Sequence, residues 1–233
     1  MHISVIYRCC ELETDGKPKR ECRPSWFSKE KFLNNALKVF SGQNVDFIAV
    51  HDGQTGPLLN ILKSNDAKIE KINYSSNDKS LQYCLDFANN IEKTDILYFL
   101  EDDYLHTYEA LDVLKEGFET VKNINSENII TLYDIPDRYT REDDIDYHQT
   151  LIKLGKTKYW RTAESTTCTW AITKELFNSK VHREAVRFGL NDREFFRHLR
   201  SSGVVLFTPM IGASTHCHEP FLSPFVDWKD LCQ

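Results

Sequence analysis

The run Ile96-Leu97-Tyr98-Phe99-Leu100 ends abruptly in Glu101-Asp102-Asp103, and no other stretch constrains the fold as strongly. Five apolar residues without polar alternation read as a strand buried on both faces, the kind found inside a sheet that helices cover on both sides. Alternation along the strand sends neighbouring carboxylates to opposite faces at its carboxyl end. In open α/β sheets that edge is where ligands bind. Three adjacent acids repel one another, so a fold that gathers them at a crevice gains most from a bound hard divalent cation.

The rest of the chain fits such a sheet. Residues 2–7 read as a first strand, followed by a polar, basic loop from Glu11 to Arg23. Residues 28–40 predict a helix, with Ser28 as its cap and Phe32, Leu33, Ala36, Leu37 and Phe40 on one face. Residues 46–50 are a second strand closing on His51-Asp52-Gly53, where glycine permits a tight turn beside a ligand. A third strand at 68–72 and a helix at 79–91 precede the acidic strand, and a helix at 108–121 and a strand at 128–133 come after it. This alternation predicts an α/β fold with a mostly parallel central sheet and helices on both faces.

From Asp134 to Thr169 the sequence is polar, aromatic and poorly periodic, as expected of a substrate-facing insertion on a rigid sheet. Regularity returns at 170–172, in helices at 174–178 and 192–201, and in a strand at 204–207. With no repeat and no clean linker, one domain is expected over residues 1–233.

Composition removes several function classes. A net charge of −6 disfavours general electrostatic binding to nucleic acid or an anionic membrane, so a phosphate-bearing ligand would need a local cation or metal. No apolar segment approaches the roughly 20 residues that span a bilayer, and no signal-peptide pattern opens the chain. The seven cysteines lack paired CxxC spacing, and an odd count of this kind points to reduced thiols. The expected location is the cytoplasm, with any membrane attachment made through a partner.

In order along the chain come Ile3-Ser4-Val5-Ile6, Val50-His51-Asp52-Gly53, Leu97 to Asp103, and Leu190-Asn191-Asp192-Arg193-Glu194-Phe195-Phe196 before a helix. With these four landmarks the sequence resembles the GT-A-fold glycosyltransferases, most closely the nucleotide-sugar-dependent family 2 group. The resemblance implies a metal-dependent enzyme, loaded with Mn²⁺ or Mg²⁺, that moves a sugar from a nucleoside diphosphate donor to a hydroxyl of a glycan or other acceptor. UDP is the donor nucleotide it suggests, and inversion the stereochemical outcome. It further implies a nucleotide-binding half over about 1–133 and an acceptor-binding and catalytic half over about 134–233.

The family's DxD-type motif falls on Glu101-Asp102-Asp103, with glutamate at its first position. The resemblance makes Asp103 the direct metal ligand, with Glu101 beside it, and sets Asp102 nearer the ribose or donor sugar. Asp52 would accept a hydrogen bond from the nucleobase, with Arg8, Asn77, Asp78 and Lys79 lining the same pocket. His216 is the expected third ligand, with His218 as the alternative; imidazole favours Mn²⁺ over Mg²⁺. Asp192 is the expected general base, with Glu194 as the alternative, and Asp192 at a helix start is equally suited to capping. Trp170 is expected to shape the sugar or acceptor pocket, where an indole stacks on a pyranose, with Trp160 and Arg161 as weaker candidates. Two other functions share the architecture: a sugar-nucleotide pyrophosphorylase, and a non-catalytic glycan- or nucleotide-binding protein.

Overall fold

Strand β1, Ile3–Cys10, and strand β4, Ile96–Glu101, lie side by side at the centre, buried along almost their whole lengths. The architecture is that of a computed structural model, which describes residues 1–11, 22–122, 127–136, 139, 150–166, 169–188 and 191–232. Strands β2, Val45–Asp52, and β3, Lys68–Ile72, extend the sheet in parallel on the outer side of β1.

Beyond β4 come β9 (Trp170–Thr173), β6 (Asn128–Ile130), β10 (Val205–Met210), β8 (Tyr159–Ala163) and β7 (Ile152–Leu154), giving the order β3-β2-β1-β4-β9-β6-β10-β8-β7. Strand β9 runs antiparallel to both β4 and β6, and β8 antiparallel to β10 and β7; the rest of the sheet is parallel. The mostly parallel α/β sheet expected from the sequence is therefore present.

Helices cover both faces. On one lie α1 (Lys29–Val39), α2 (Pro57–Ser64) and α4 (Ala110–Val121), whose Leu33, Ala36, Leu58, Leu62, Val113 and Leu114 pack with Val5, Tyr7 and Tyr98. On the other lie α3 (Asn77–Asn89), α5 (Lys174–Phe177), α6 (Lys180–Phe188) and α7 (Asp192–Ser201), packed on Ile6, Leu97, Phe99 and Leu206. Ser28 caps α1 as expected, accepting from the Lys31 amide at 3.3 Å. Among the described residues no helix is long and apolar enough to cross a membrane.

Two short strands frame the acidic turn. Strand β5, Tyr104–His106, begins directly after that turn and pairs with β11, Ser214–His216, in a separate two-stranded sheet. Asn35 of α1 grips β5 from the far side: its Nδ2 donates to the His106 carbonyl and its Oδ1 accepts from the His106 amide, both at 3.0 Å. The carboxyl end is closed by α8, Trp228–Leu231, whose Trp228 donates from Nε1 to the Ser223 carbonyl at 2.7 Å.

Candidate functional site

The carboxyl ends of β1, β2 and β4 converge with β11, and each of the three acids that end and follow β4 meets its own cation there. Parallel register sets Arg8 of β1 opposite Glu101 of β4, and the two side chains form an ion pair. Arg8 also donates from Nη1 to the carbonyl and Oδ1 of Asn77, both at 2.9 Å, and to Ser80 Oγ at 2.8 Å. That arginine is therefore built into the junction of β1 and α3.

Asp102 turns toward α1. Its Oδ2 accepts from the Cys10 amide at 2.9 Å and pairs with Lys29 Nζ at 3.0 Å, while Lys29 also donates to the Cys10 carbonyl at 3.0 Å. Burial raises the Asp102 carboxyl above the usual range; Lys29 opposes that shift and the neighbouring Asp103 adds to it.

Asp103 is held by the β5–β11 ladder. In the antiparallel register His216 stands opposite Tyr104, and one step on the Cys217 amide donates to the Asp103 carbonyl at 2.9 Å. This brings His216 Nε2 to 2.9 Å from Asp103 Oδ2, which also accepts from Arg23 Nη2 at 2.9 Å. Burial alone would push this carboxyl up, but His216, then Arg23, outweigh it and hold the group well below the carboxylate range. Asp103 Oδ1 is buried with no hydrogen-bond partner among the described residues. His218 stacks on His216, ring centroids 5.9 Å apart, while His216 is the histidine at hydrogen-bonding distance from Asp103.

These positions define what the site can hold. Two neighbouring ligands of an octahedral ion with bonds of about 2.1 Å stand about 3 Å apart, and Asp103 Oδ2 and His216 Nε2 have that spacing. Imidazole plus carboxylate suits Mn²⁺ better than Mg²⁺. Among the described residues no group of three or more His, Cys, Asp or Glu is arranged to share one ion. The expected three-residue set is corrected accordingly: Glu101 faces Arg8 instead of joining Asp103 and His216. An ion here would complete its shell with ligand oxygens and water.

The other expected residues separate into two groups. Asp52 ends β2, and its Oδ1 accepts from the Tyr74 and Ser75 amides at 2.9 and 3.2 Å, shaping the loop that leads into α3 and hence to Asn77. Asp78 and Lys79 are exposed in the first turn of α3, whereas Arg8 bonds Asn77 and Ser80. Asp192 opens α7, its side chain outside those described, and the cap is Asn191, whose Oδ1 accepts from the Arg193 amide at 3.2 Å. Glu194 is exposed and paired with Arg197 at 3.2 Å.

Trp170 is corrected from pocket wall to core. It is 5% exposed and packs on Phe99, Phe195 and His182 with centroids 4.5, 5.5 and 5.9 Å away. Trp160 is fully buried, and Arg161 forms a buried ion pair with Asp134 at 2.6 Å.

Sequence reasoning misses Arg23 and Lys29. A signal is present: Lys17, Lys19, Arg20, Arg23, Lys29 and Lys31 concentrate positive charge in the sequence that follows β1 and runs into α1, in an otherwise acidic chain. It also misses Glu11, which accepts from the Leu58 and Leu59 amides at the start of α2 and contacts His51 Nε2 at 3.0 Å. Glycine is required at 56, where φ is +146° and a Cβ would run into the Glu11 side chain.

No protein-family model matches the sequence, and no curated protein matches it. Solved structures match its fold. GalNAc-T7 with UDP, GalNAc and Mn²⁺ aligns with a TM-score of 0.59 and 10% identity over 92% of this chain and 43% of its own. The fold is GT-A-like. CMP:2-keto-3-deoxy-manno-octonic acid synthetase complexed with CTP aligns at 0.52 and 9% identity over 89% of both chains. TarS 1–349 of S. aureus in complex with UDP-GlcNAc aligns at 0.51 and 12% identity, over 89% of this chain and 58% of its own. The chain thus spans less than two thirds of the GalNAc-T7 and TarS chains, and at these identities the likeness is one of fold.

Proposed function

We propose that this protein is a glycosyltransferase that takes a sugar from a nucleoside diphosphate donor, UDP-linked in the first instance, and passes it to a hydroxyl of a glycan or other acceptor. The observation that carries the reading is Asp103 Oδ2 and His216 Nε2 at 2.9 Å, beside a buried Asp103 Oδ1 with no partner among the described residues, at the sheet edge where α/β folds bind ligands. Asp103 and His216 would hold a Mn²⁺ or Mg²⁺ ion, which supplies positive charge against the departing diphosphate.

In this reading residues 1–133 form the nucleotide half and 134–233 the acceptor half. Asp52 accepts from the base, Asn77 and Arg8 close the floor of that pocket, and Asp102 faces the ribose or donor sugar. Asp192 takes the proton from the attacking hydroxyl on the opposite face of the sugar, giving inversion, with Glu194 as the alternative base. Membership of family 2 belongs to this proposal and rests on the four ordered landmarks.

Calorimetry tests it. UDP should bind with Mn²⁺ and lose at least tenfold in affinity with EDTA, and Asp103→Ala should abolish the metal-dependent part while leaving the fold intact. Equal UDP affinity under both conditions would remove the ion from the mechanism. A thermal-shift series of UDP, GDP, CDP and dTDP with Mn²⁺ then reports the nucleotide, because a ligand that binds only the folded state stabilises it.

A second reading, a sugar-nucleotide synthetase, has one observation in its favour: the CMP:2-keto-3-deoxy-manno-octonic acid synthetase match covers both chains almost equally. Release of pyrophosphate from CTP and a sugar acid would select it over transfer from a UDP-sugar.

A further inference from the structure

We propose that Arg23 is a resident counter-cation which Asp103 exchanges for the divalent ion, so that ion and nucleotide bind as a coupled pair. This exchange rests on the metal-assisted reading of the site and concerns how that site is kept when no ligand is present.

The three cations facing the acids are held differently. Arg8 is fixed by Asn77 and Ser80 besides Glu101, and Lys29 by the Cys10 carbonyl besides Asp102. Both pairings belong to the frame of the sheet. Arg23 comes from the segment between β1 and α1, donates from Nη1 to the Cys217 carbonyl at 2.8 Å, and lies over the Phe27 ring at 4.6 Å. Its remaining contact is Asp103 Oδ2 at 2.9 Å, on the same oxygen that His216 approaches.

Among the described residues, Asp103 therefore carries both partners on one oxygen and none on the other, although the second is buried. A buried acceptor of this kind is costly to leave unmet. An ion bound between Oδ2 and His216 would compete with the guanidinium for that oxygen, since two cations at contact distance repel strongly in a poorly solvated cleft. Ion entry therefore favours release of Arg23. A freed guanidinium would remain near Asp103 and His216, where its planar fork of donors suits phosphate oxygens. The nucleotide thus rewards the release that the ion favours, and each ligand strengthens the other by the same factor.

The test is Mn²⁺ binding to the whole chain, stripped with EDTA and followed by the electron paramagnetic resonance signal of free Mn²⁺. Without nucleotide, Arg23→Met should bind Mn²⁺ about tenfold more tightly than wild type, within the usual range of coupling between sites. Arg23→Lys, which keeps the charge, should stay near wild type. Saturating UDP should raise wild-type ion affinity about tenfold or more and that of Arg23→Met clearly less. Phe27→Leu removes the ring beneath the guanidinium and leaves every ligand in place; it should shift nucleotide-free affinity in the same direction by a smaller factor, and it decides the matter if Arg23→Met does not fold. Ion binding that is no tighter in these variants, while wild type binds Mn²⁺ with UDP, overturns the exchange and leaves the metal reading standing. Absence of Mn²⁺ binding by wild type with UDP, GDP, CDP or dTDP overturns both.

Discussion

Mild acid should destabilise this fold through two buried histidines, His106 and His182, neither of which touches the Asp103 carboxylate. His106 is enclosed in β5, with Nε2 at 2.9 Å from the Tyr98 hydroxyl, the Phe40 ring at 4.9 Å and no partner for Nδ1 among the described residues. Burial pushes its pKa down to about 3. His182 of α6 packs among Trp170, Phe177 and Phe195, and burial pushes it down to about 4. Both folded values lie below the unfolded value of about 6.5, so the unfolded chain binds more protons throughout the interval between them. The stability these residues contribute is complete above pH 6.5 and is lost as pH falls toward the folded pKa. At about 1.4 kcal/mol per pH unit for each group, roughly 2 kcal/mol per histidine is gone by pH 5, against a total of about 5–15 kcal/mol for a typical domain. Urea unfolding at pH 7, 6 and 5 measures this. His106→Gln keeps a polar partner for Tyr98 and cannot titrate, so it should be less stable than wild type at pH 7. That gap should narrow by about 2 kcal/mol by pH 5. A gap unchanged across the interval would refute a neutral, desolvated His106, whatever the other histidines do.

Three further outcomes are expected. Arg161→Met leaves the Asp134 carboxylate buried without its ion-pair partner and should cost about 3–5 kcal/mol in urea unfolding, with a large part recovered on adding Asp134→Asn. Gly56→Ala meets both the +146° φ and the Glu11 side chain, and should lower the melting temperature by an amount equivalent to more than about 1 kcal/mol. Asp192→Asn should leave melting and nucleotide affinity near wild type, because Asn191 supplies the cap, while reducing sugar transfer by roughly 10²-fold or more. Wild-type transfer in that variant would move the base to Glu194 or make the reaction retaining.

The central strands are legible in sequence because burial on both faces leaves predominantly apolar runs, unbroken from Ile96 to Leu100 in β4 and interrupted by Ser4 and Arg8 in β1. Strand β3 spans residues 68–72 and α7 spans 192–201, as the patterns indicate. Strands β5, β7 and β11 are three residues long, too short for any period to register. Yet β5 and β11 are what bring His216 to Asp103, so the histidine's sequence position can suggest the contact while its geometry depends on an unreadable pairing. Trp170 fails for a related reason: the four residues of β9 do not reveal that the strand inserts between β4 and β6, which sets the indole beside Phe99 under the His182 and Phe195 side chains of α6 and α7. Glu101 reads as a metal ligand in sequence, but a parallel neighbour, Arg8, claims it across the sheet, and register between strands is invisible in a linear sequence.

The cations opposite the acids change what the acidic run means. Three consecutive carboxylates suggest an ion that relieves their repulsion, but Arg8, Lys29 and Arg23 already do so one for one. Two of these pairs share their cations with backbone or side-chain oxygens of β1 and α3, so removing either would unsettle the sheet edge itself. Of the three acids, only Asp103 keeps a carboxylate oxygen buried and unmatched among the described residues, next to an imidazole. The acidic run therefore concentrates its capacity for an ion on Asp103, while Arg8 and Lys29 tie Glu101 and Asp102 into the rim. A ligand at this rim would meet positive charge from the chain as well as any ion. Nucleotide affinity should accordingly depend on salt as well as on Mn²⁺, because partly exposed charges are screened within about 10 Å at 0.1 M.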